Sequence, residues 1–565
     1  PGTGCAVPRT VERPPVPFRP MRALVRRLRG LVDRYRVDRR LPPPVKQLVV
    51  DTVRLPVARG IDGLRASAES VGPLPAPTHQ LASDFASRVS DVLTAAGVEH
   101  WAVERRVEGG DVPLDGSRPR RLDGLRFGVT LDDRSRALGA LATSLAEPGW
   151  HIAWSDGARR GLCTIADAVS NRHVSRARSW SVFVAHHLGG RVVSEEAGVE
   201  ITFWTPGTSG LLELVGTRGQ ERFDARCPVT VEVVDGHPYP GRTAFPIGSS
   251  MEELADPVDL VYTWVDGSDP EWRERFVSTA QSTGRDLGDH GLDPARYRSR
   301  DELRTSLRSV WAYCGWVRHI WIVTAGQRPA WLGEHDRLTV VDHAEIMPAD
   351  ALPTFNSHSI EASLHHIDGL AEHFVYFNDD MVVARPVRPE SFFEPNGLAR
   401  VFQSGARVPG VEDDDTLAVD TAAQRGRELL DARFGRVVPT KPMHAPYALR
   451  RSVMYELDHE FPDEMAATVR SRFRSPSDLS TAASFGQHYA LATGRAVTGS
   501  LRADNAHVAS ARHGVLLDRI RRADDLDVFC LNETHDDGAR PDRDRRIAEF
   551  FDAVQPVAAP WEIAT

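Results

Sequence analysis

Lysine is almost missing from this chain of 565 residues: Lys46 and Lys441 are the only two, and arginine carries nearly all the other positive charge. GC-rich codon usage accounts for such a bias, and it sets Lys441 apart as a position that escaped it. Cysteine is scarce too. Cys5, Cys163, Cys227, Cys314 and Cys530 are odd in number, widely scattered and without CxxC spacing, so they suggest neither a disulfide framework nor a zinc site. A reducing, cytoplasmic setting fits that pattern. No apolar run approaches the roughly 18–20 residues needed to cross a bilayer. The proline-rich start lacks the apolar segment of a signal peptide. A formal net charge of -9 argues against a nucleic-acid binder, whose footprint is basic.

What is present suits a globular protein: 41% of residues are hydrophobic and 26% charged, in a chain long enough for two or three domains. Residues 1–75 read as a leader and a basic amphipathic helix over 21–40. Its stripe of Leu24, Val25, Leu28, Leu31, Val32 and Tyr35 is surrounded by arginines. Such a helix either lies on an anionic membrane surface, as a peripheral contact at the inner face, or packs against its own domain. Residues 76–250 read as an accessory α+β domain. Strand-like runs at 126–131, 180–185, 199–204 and 229–234 alternate with helical stretches at 81–96 and 134–145. Its histidines and tryptophans show no catalytic spacing.

The pattern becomes more regular at residues 257–545, and residues 546–565 read as a C-terminal tail. Apolar strands at 258–265, 319–324, 338–342 and 373–377 alternate with helices at 300–313 and 359–369. That order predicts an α/β domain, a mostly parallel twisted sheet with flanking helices, in which ligands sit beyond the carboxyl ends of the strands. Two acidic turns follow strand ends: Asp266-Gly267-Ser268-Asp269 and Asn378-Asp379-Asp380. Adjacent carboxylates with an amide are hard oxygen ligands that suit Mg²⁺ or Mn²⁺, although such pairs are also common solvated turns. Arg300, Arg304 and Arg308 recur every four residues on one helix face. They serve either to bind phosphate bidentately or as a solvated face paired with Asp301 and Glu302. Ser299 and Glu302 are spaced as a capping box. Pro442 and Pro446 stiffen the loop that carries His444, a residue type suited to general-base work, in a chain with 21 histidines.

Together these segments resemble the Stealth family, which includes bacterial capsule hexose-1-phosphate transferases and the catalytic subunit of the lysosomal-enzyme GlcNAc-1-phosphotransferase. The first matching region is residues 259–270. The second runs from Arg296 through 301–309 and 316–324 to Trp331. The third holds 353–356, 377–381 and 442–444, and the fourth is 529–536. The resemblance implies a glycosyltransferase-A-like or Rossmann-like fold. The implied reaction moves a sugar 1-phosphate, GlcNAc-1-phosphate as the family analogue, from a UDP-sugar donor to a hydroxyl of a glycan acceptor with release of UMP. It also implies roles: His444 as base, Arg474 on the transferring phosphate, and Asp379, Asp380 and Asp536 at a Mg²⁺ or Mn²⁺ ion, with Asp266 a further candidate. Asp266, Gly267, Asp269, Arg300, Arg304, Arg308, Asn356, Lys441 and Asn532 then fall to substrate binding. Glu533 and Thr534 depart from the family's usual Asp-Asn, which puts a metal role for the fourth region in doubt. An ordinary glycosyltransferase releasing UDP and a non-catalytic glycan-binding module stay open, as does a homo-oligomer.

Overall fold

The computed structural model describes most of residues 64–563; residues 1–63, 106–123, 286–296, 409–417, 509–512, 523–525 and 533–540, with some shorter breaks, lie outside the description. The basic stretch at 21–40 and Asp536 are therefore outside it. No helix among the described residues is long and apolar enough to cross a membrane.

Residues 78–242 build an eight-stranded, largely antiparallel sheet. Its main path runs His100–Arg105, Leu125–Thr130, Val199–Pro206, Ser179–Val184, Trp150–Ser155 and Arg160–Thr164. The helix Thr78–Ala95 packs Leu81, Phe85, Val89 and Leu93 into that core. Its first turn also reaches the second part of the chain. Thr78 Oγ1 donates to the Ala312 carbonyl at 3.1 Å, and the apolar core runs on between the two parts.

The second part is a mixed α/β fold. Its central sheet contains β1 (Val258–Thr263), β2 (Val317–Thr324), β3 (Leu338–Asp342) and β4 (His373–Asn378), all parallel. The short strands β5 (Met381–Val383), β6 (Ala399–Arg407) and β7 (Thr440–Pro442) follow, and β8 (Tyr447–Arg450) joins the sheet antiparallel to β4. The order β3-β2-β1-β4-β8 means that the chain moves outward from β1 and then returns to its other side. A crevice opens at such a reversal, beyond the carboxyl ends of β1 and β4. Both strands are buried on both faces, which explains their unbroken apolar text. Asp259 is a locking exception: its fully buried carboxylate accepts from Arg318, from Trp321 Nε1 at 3.0 Å and from the Ala371 amide at 2.9 Å.

Helix α1 (Pro270–Ser282) follows β1, and α2 (Glu302–Tyr313) precedes β2. The spacing of Leu303, Leu307, Val310, Trp311 and Cys314 predicts a buried stripe on α2; four of them are buried, and Trp311 is only partly so. The helix start differs from the expected capping box, because Ser299 makes no cap. Instead the Glu302 carboxylate accepts from the Arg300 amide, and Asp301 takes a left-handed φ of 63°. The expected helix at 359–369 is two short pieces, Ser357–Glu361 and the 3-10 turn Leu364–His366. The remaining elements used below are α3 (Ala418–Phe434), α4 (Arg451–Glu460), β9 (Ala503–His507), β10 (Val528–Asn532) and α5 (Pro541–Val554).

Residues expected as a tail are built into the body. Ile563 N donates to the Trp331 carbonyl, Gly333 N donates to the Trp561 carbonyl, and Trp561 is 3% exposed.

Candidate functional site

A cleft of about 480 Å³ occupies the crevice at the strand reversal. Its floor comes from the strand ends: Thr263 and Trp264 after β1, and Asn378, Asp379 and Asp380 after β4. Thr263 Oγ1 and Tyr376 Oη hydrogen-bond across the reversal at 2.9 Å, closing the sheet beneath it. His444 enters from the loop between β7 and β8, Arg474 from the loop after Arg470, and Leu531 and Asn532 from the end of β10.

The acidic floor has a third member. Helix α2 is pinned on β5: Ser306 Oγ donates to the Met381 carbonyl, Ser309 Oγ accepts from the Val383 amide at 2.9 Å, and Ser306 Oγ also meets Tyr262 Oη at 2.8 Å. This mounting brings Glu302 to the floor beside Asp379 and Asp380. Removal from water pushes the Glu302 carboxyl up to about 7, with Asp380 adding to the rise and the Arg300 amide and charge opposing it. Asp379 is raised well above the carboxylate range by burial first, then by Asp380 and Glu302. Asp380 is raised by burial, against which His444 works.

Asp380, His444 and Cys530 place one ligand atom each within 4.8 Å of one another. Asp380 Oδ1 and His444 Nε2 are buried there with no hydrogen-bond partner. The Cys530 thiol hydrogen-bonds to the Asp380 carboxylate, and burial with that carboxylate raises it well above the usual thiol range. Cys530 is thus a protonated neighbour of the site. Three carboxyl groups kept costly by burial and mutual repulsion, with an orphaned carboxylate oxygen among them, fit a divalent cation with oxygen preference.

Arg474 is held by a hub. Asn356, fully buried, donates from Nδ2 to the carbonyls of Ser471 (3.0 Å) and Phe473 (3.3 Å) and to Asp478 Oδ2 (2.8 Å). Asp478 in turn accepts from the Ser475 amide at 2.9 Å. The loop so fixed points Arg474 into the cleft, where its Nη2 donates to Ser357 Oγ at 2.8 Å. Glu361, 6% exposed, lines the same wall, and its carboxyl is raised by burial against the pull of His358 and Arg474.

Among the sequence-predicted residues, Asp379, Asp380, His444, Arg474, Arg300, Lys441 and Asn532 line the cleft. Lys441 is ion-paired there with Asp420 of α3, and Arg300 Nε meets Asp544 of α5 at 2.9 Å. Others are not brought to it. Arg304 and Arg308 turn away and grip Glu562, whose side chain is 3% exposed, at 2.6 and 2.7 Å. The row of arginines therefore divides after its first member, because a carboxylate from the C-terminal segment neutralises the other two. Asp266, Gly267 and Asp269 form a self-contained turn beside the cleft. Asp266 Oδ1 accepts from Ser268 at 2.8 and 2.6 Å; Asp269 caps α1 and accepts from Gln327 at 2.9 Å. At Gly267 a Cβ would stand 2.6 Å from the Tyr297 carbonyl, so glycine permits the close approach that seats Tyr297 in the cleft wall. Asn356 does not line the cleft; it contacts the loop that carries Arg474. The sequence offered Glu302 as a helix cap or as a partner of the arginine row, and gave Cys530 and Glu361 no role in the site. Nothing local in the sequence signals them, since each becomes meaningful only through its neighbours in space.

An α/β fold with a strand-reversal cleft that gathers an acidic floor, a histidine and an arginine has the form of an enzyme active site. Models of all four Stealth conserved regions match: region 1 at residues 256–276, region 2 at 296–401, region 3 at 443–491 and region 4 at 518–565. The second takes in 353–356 and 377–381, which the sequence reading assigned to the third. An exopolysaccharide phosphotransferase of Streptomyces coelicolor is 39% identical over 500 residues, covering 84% of this chain and 89% of the relative. A second from the same organism is 43% identical over 413 residues, 69% and 68% of the two chains. The exopolysaccharide phosphotransferase CpsY of Mycobacterium tuberculosis is 41% identical over 318 residues, 54% and 58%. The chain belongs to the Stealth family of phosphotransferases.

Proposed function

We propose that the protein transfers a sugar 1-phosphate from a UDP-sugar to a hydroxyl of a glycan acceptor, in the synthesis of an extracellular or capsular polysaccharide. The donor closest in family terms is UDP-GlcNAc. The observation that carries this reading is the meeting, in one cleft, of the Asp379–Asp380 pair, the unpartnered His444 Nε2 and Arg474. The acceptor oxygen attacks the sugar-bearing phosphorus. A new P–O bond forms as the bond to the bridging oxygen of the diphosphate breaks; UMP leaves, and the glycosidic carbon is untouched. His444 Nε2 takes the acceptor proton. Arg474 pairs with the transferring phosphate, its direction fixed by Ser357 and by the loop that Asn356 holds. Asp379 and Asp380, with Glu302 beside them, would hold Mg²⁺ or Mn²⁺; bound there, the ion offsets charge on the diphosphate.

The test is a set of UDP-sugars offered with candidate acceptors and followed by mass detection. UMP together with a phosphodiester product supports the reading. UDP together with a glycoside would replace it by ordinary glycosyl transfer, and no turnover of any donor would point to a glycan-binding module. Full activity in excess EDTA would remove the metal from the scheme.

A further inference from the structure

Outside the cleft, two imidazoles and a carboxylate converge. The turn Leu364–His366 carries His365 and His366, whose ring centroids are 4.0 Å apart, and α4 carries Asp458. His365 Nε2 lies 2.7 Å from Asp458 Oδ2, and His366 Nε2 lies 3.7 Å from the same oxygen. All three ligand atoms fall within 4.8 Å of one another. Ligands about 2.0–2.1 Å from a tetrahedral ion stand roughly 3.3 Å apart, so these separations bracket what one ion requires.

The arrangement is poorly explained by hydrogen bonding alone. The His365–Asp458 contact engages Nε2 of one ring and leaves its buried Nδ1 without a partner, while His366 Nε2, 3.7 Å from the same oxygen, is beyond hydrogen-bond distance of it. One cation would engage all three ligand atoms. His365 is fully buried, and the Tyr455 ring stands edge-on to it at 4.7 Å. The Arg451 guanidinium donates to the carbonyls of His365, Leu370 and Ile367, which fixes the turn. His366 and Asp458 have side chains 41% and 33% exposed, leaving an open side for a water ligand.

We propose that His365, His366 and Asp458 form a second metal site, distinct from the cleft, for a zinc-class divalent cation. Two nitrogen donors and one oxygen suit zinc, and do not suit magnesium. The turn directly follows the helix Ser357–Glu361, whose Ser357 and Glu361 line the cleft. A bound ion ties that helix to α4.

The test strips metal from the full chain and titrates Zn²⁺ by calorimetry and Co²⁺ by absorbance, in wild type and in an Asp379→Ala/Asp380→Ala background that lacks the cleft carboxylates. The background variant is expected to keep one zinc site and a tetrahedral cobalt spectrum. Adding His366→Ala, whose side chain is largely at the surface, is expected to weaken zinc at least tenfold and to abolish the zinc-dependent rise in Tm. Asp458→Asn provides the same comparison without a change of volume. Absence of zinc binding in the background variant overturns the proposal. So does unchanged affinity and stoichiometry in either His366→Ala or Asp458→Asn.

Discussion

Glu302, Asp379 and Asp380 face one another in a place that disfavours charge, and Glu302 shows the cost in a form that can be measured. Its folded-state pKa is about 7 against an ordinary value of 4.5. Between those values the folded chain holds a proton that the unfolded chain has released, so its contribution to stability falls as pH rises through that window. Glu302→Gln removes the charge while keeping the shape. In metal-free protein at pH 8 the variant is expected to be more stable than wild type by about 1–3 kcal/mol, with the difference vanishing near pH 5; denaturant titrations at both pH values check this. His444→Ala is expected to abolish transfer while UDP-sugar binding persists, measured by turnover and by calorimetry. Unchanged turnover would take His444 out of the base role. Asp379 and Asp380 were legible because two carboxylates end an apolar strand, and His444 because a family motif marked it. Glu302 was not, since a glutamate three residues after a serine reads first as a cap.

At the scale of elements, α2 has three jobs along three stripes. Leu303, Leu307 and Val310 fill the core, Ser306 and Ser309 grip β5, and Arg304 and Arg308 hold Glu562. The arginine spacing was visible in the sequence, but its partner is 254 residues away from Arg308 and could not be. Glu562→Gln leaves two guanidinium groups poorly compensated. It is expected to cost about 2–4 kcal/mol, somewhat below the usual toll for breaking a buried pair because Arg304 is partly exposed. Donor affinity is expected to be unchanged, as none of the three residues lines the cleft; a fall in Tm with constant donor Kd checks both halves. Asn356→Ala is expected to lower kcat, because the loop carrying Arg474 loses its hub, and also to lower Tm, because buried carbonyls and the Asp478 carboxylate lose a donor. Recovery of kcat by Asn356→Ser, which can still accept from the His358 amide, would assign the effect to that cap instead.

For the whole molecule, the central sheet was readable because parallel strands buried on both faces are written as continuous apolar runs with helices between them. Its order was not readable, since the return of β4 to the side of β1 depends on contacts distant in sequence. The largely antiparallel sheet of residues 78–242 was legible as separate strands and helices, but its eight-strand path was not. The molecule as a unit is expected to respond to Mg²⁺ or Mn²⁺: an ion that binds the folded acidic floor stabilises by mass action, about 2.7 kcal/mol at roughly 100 times its Kd. Thermal denaturation with and without the ion, in wild type and in Asp380→Ala, measures that term, which is expected to disappear in the variant.

The clasp of Glu562 on α2 also makes the end of the chain a strut for the helix that begins with Glu302. Deleting residues 559–565 frees Arg304 and Arg308 together, and is expected to raise the hydrogen exchange of the α2 amides while the strand amides of β1 and β4 stay protected.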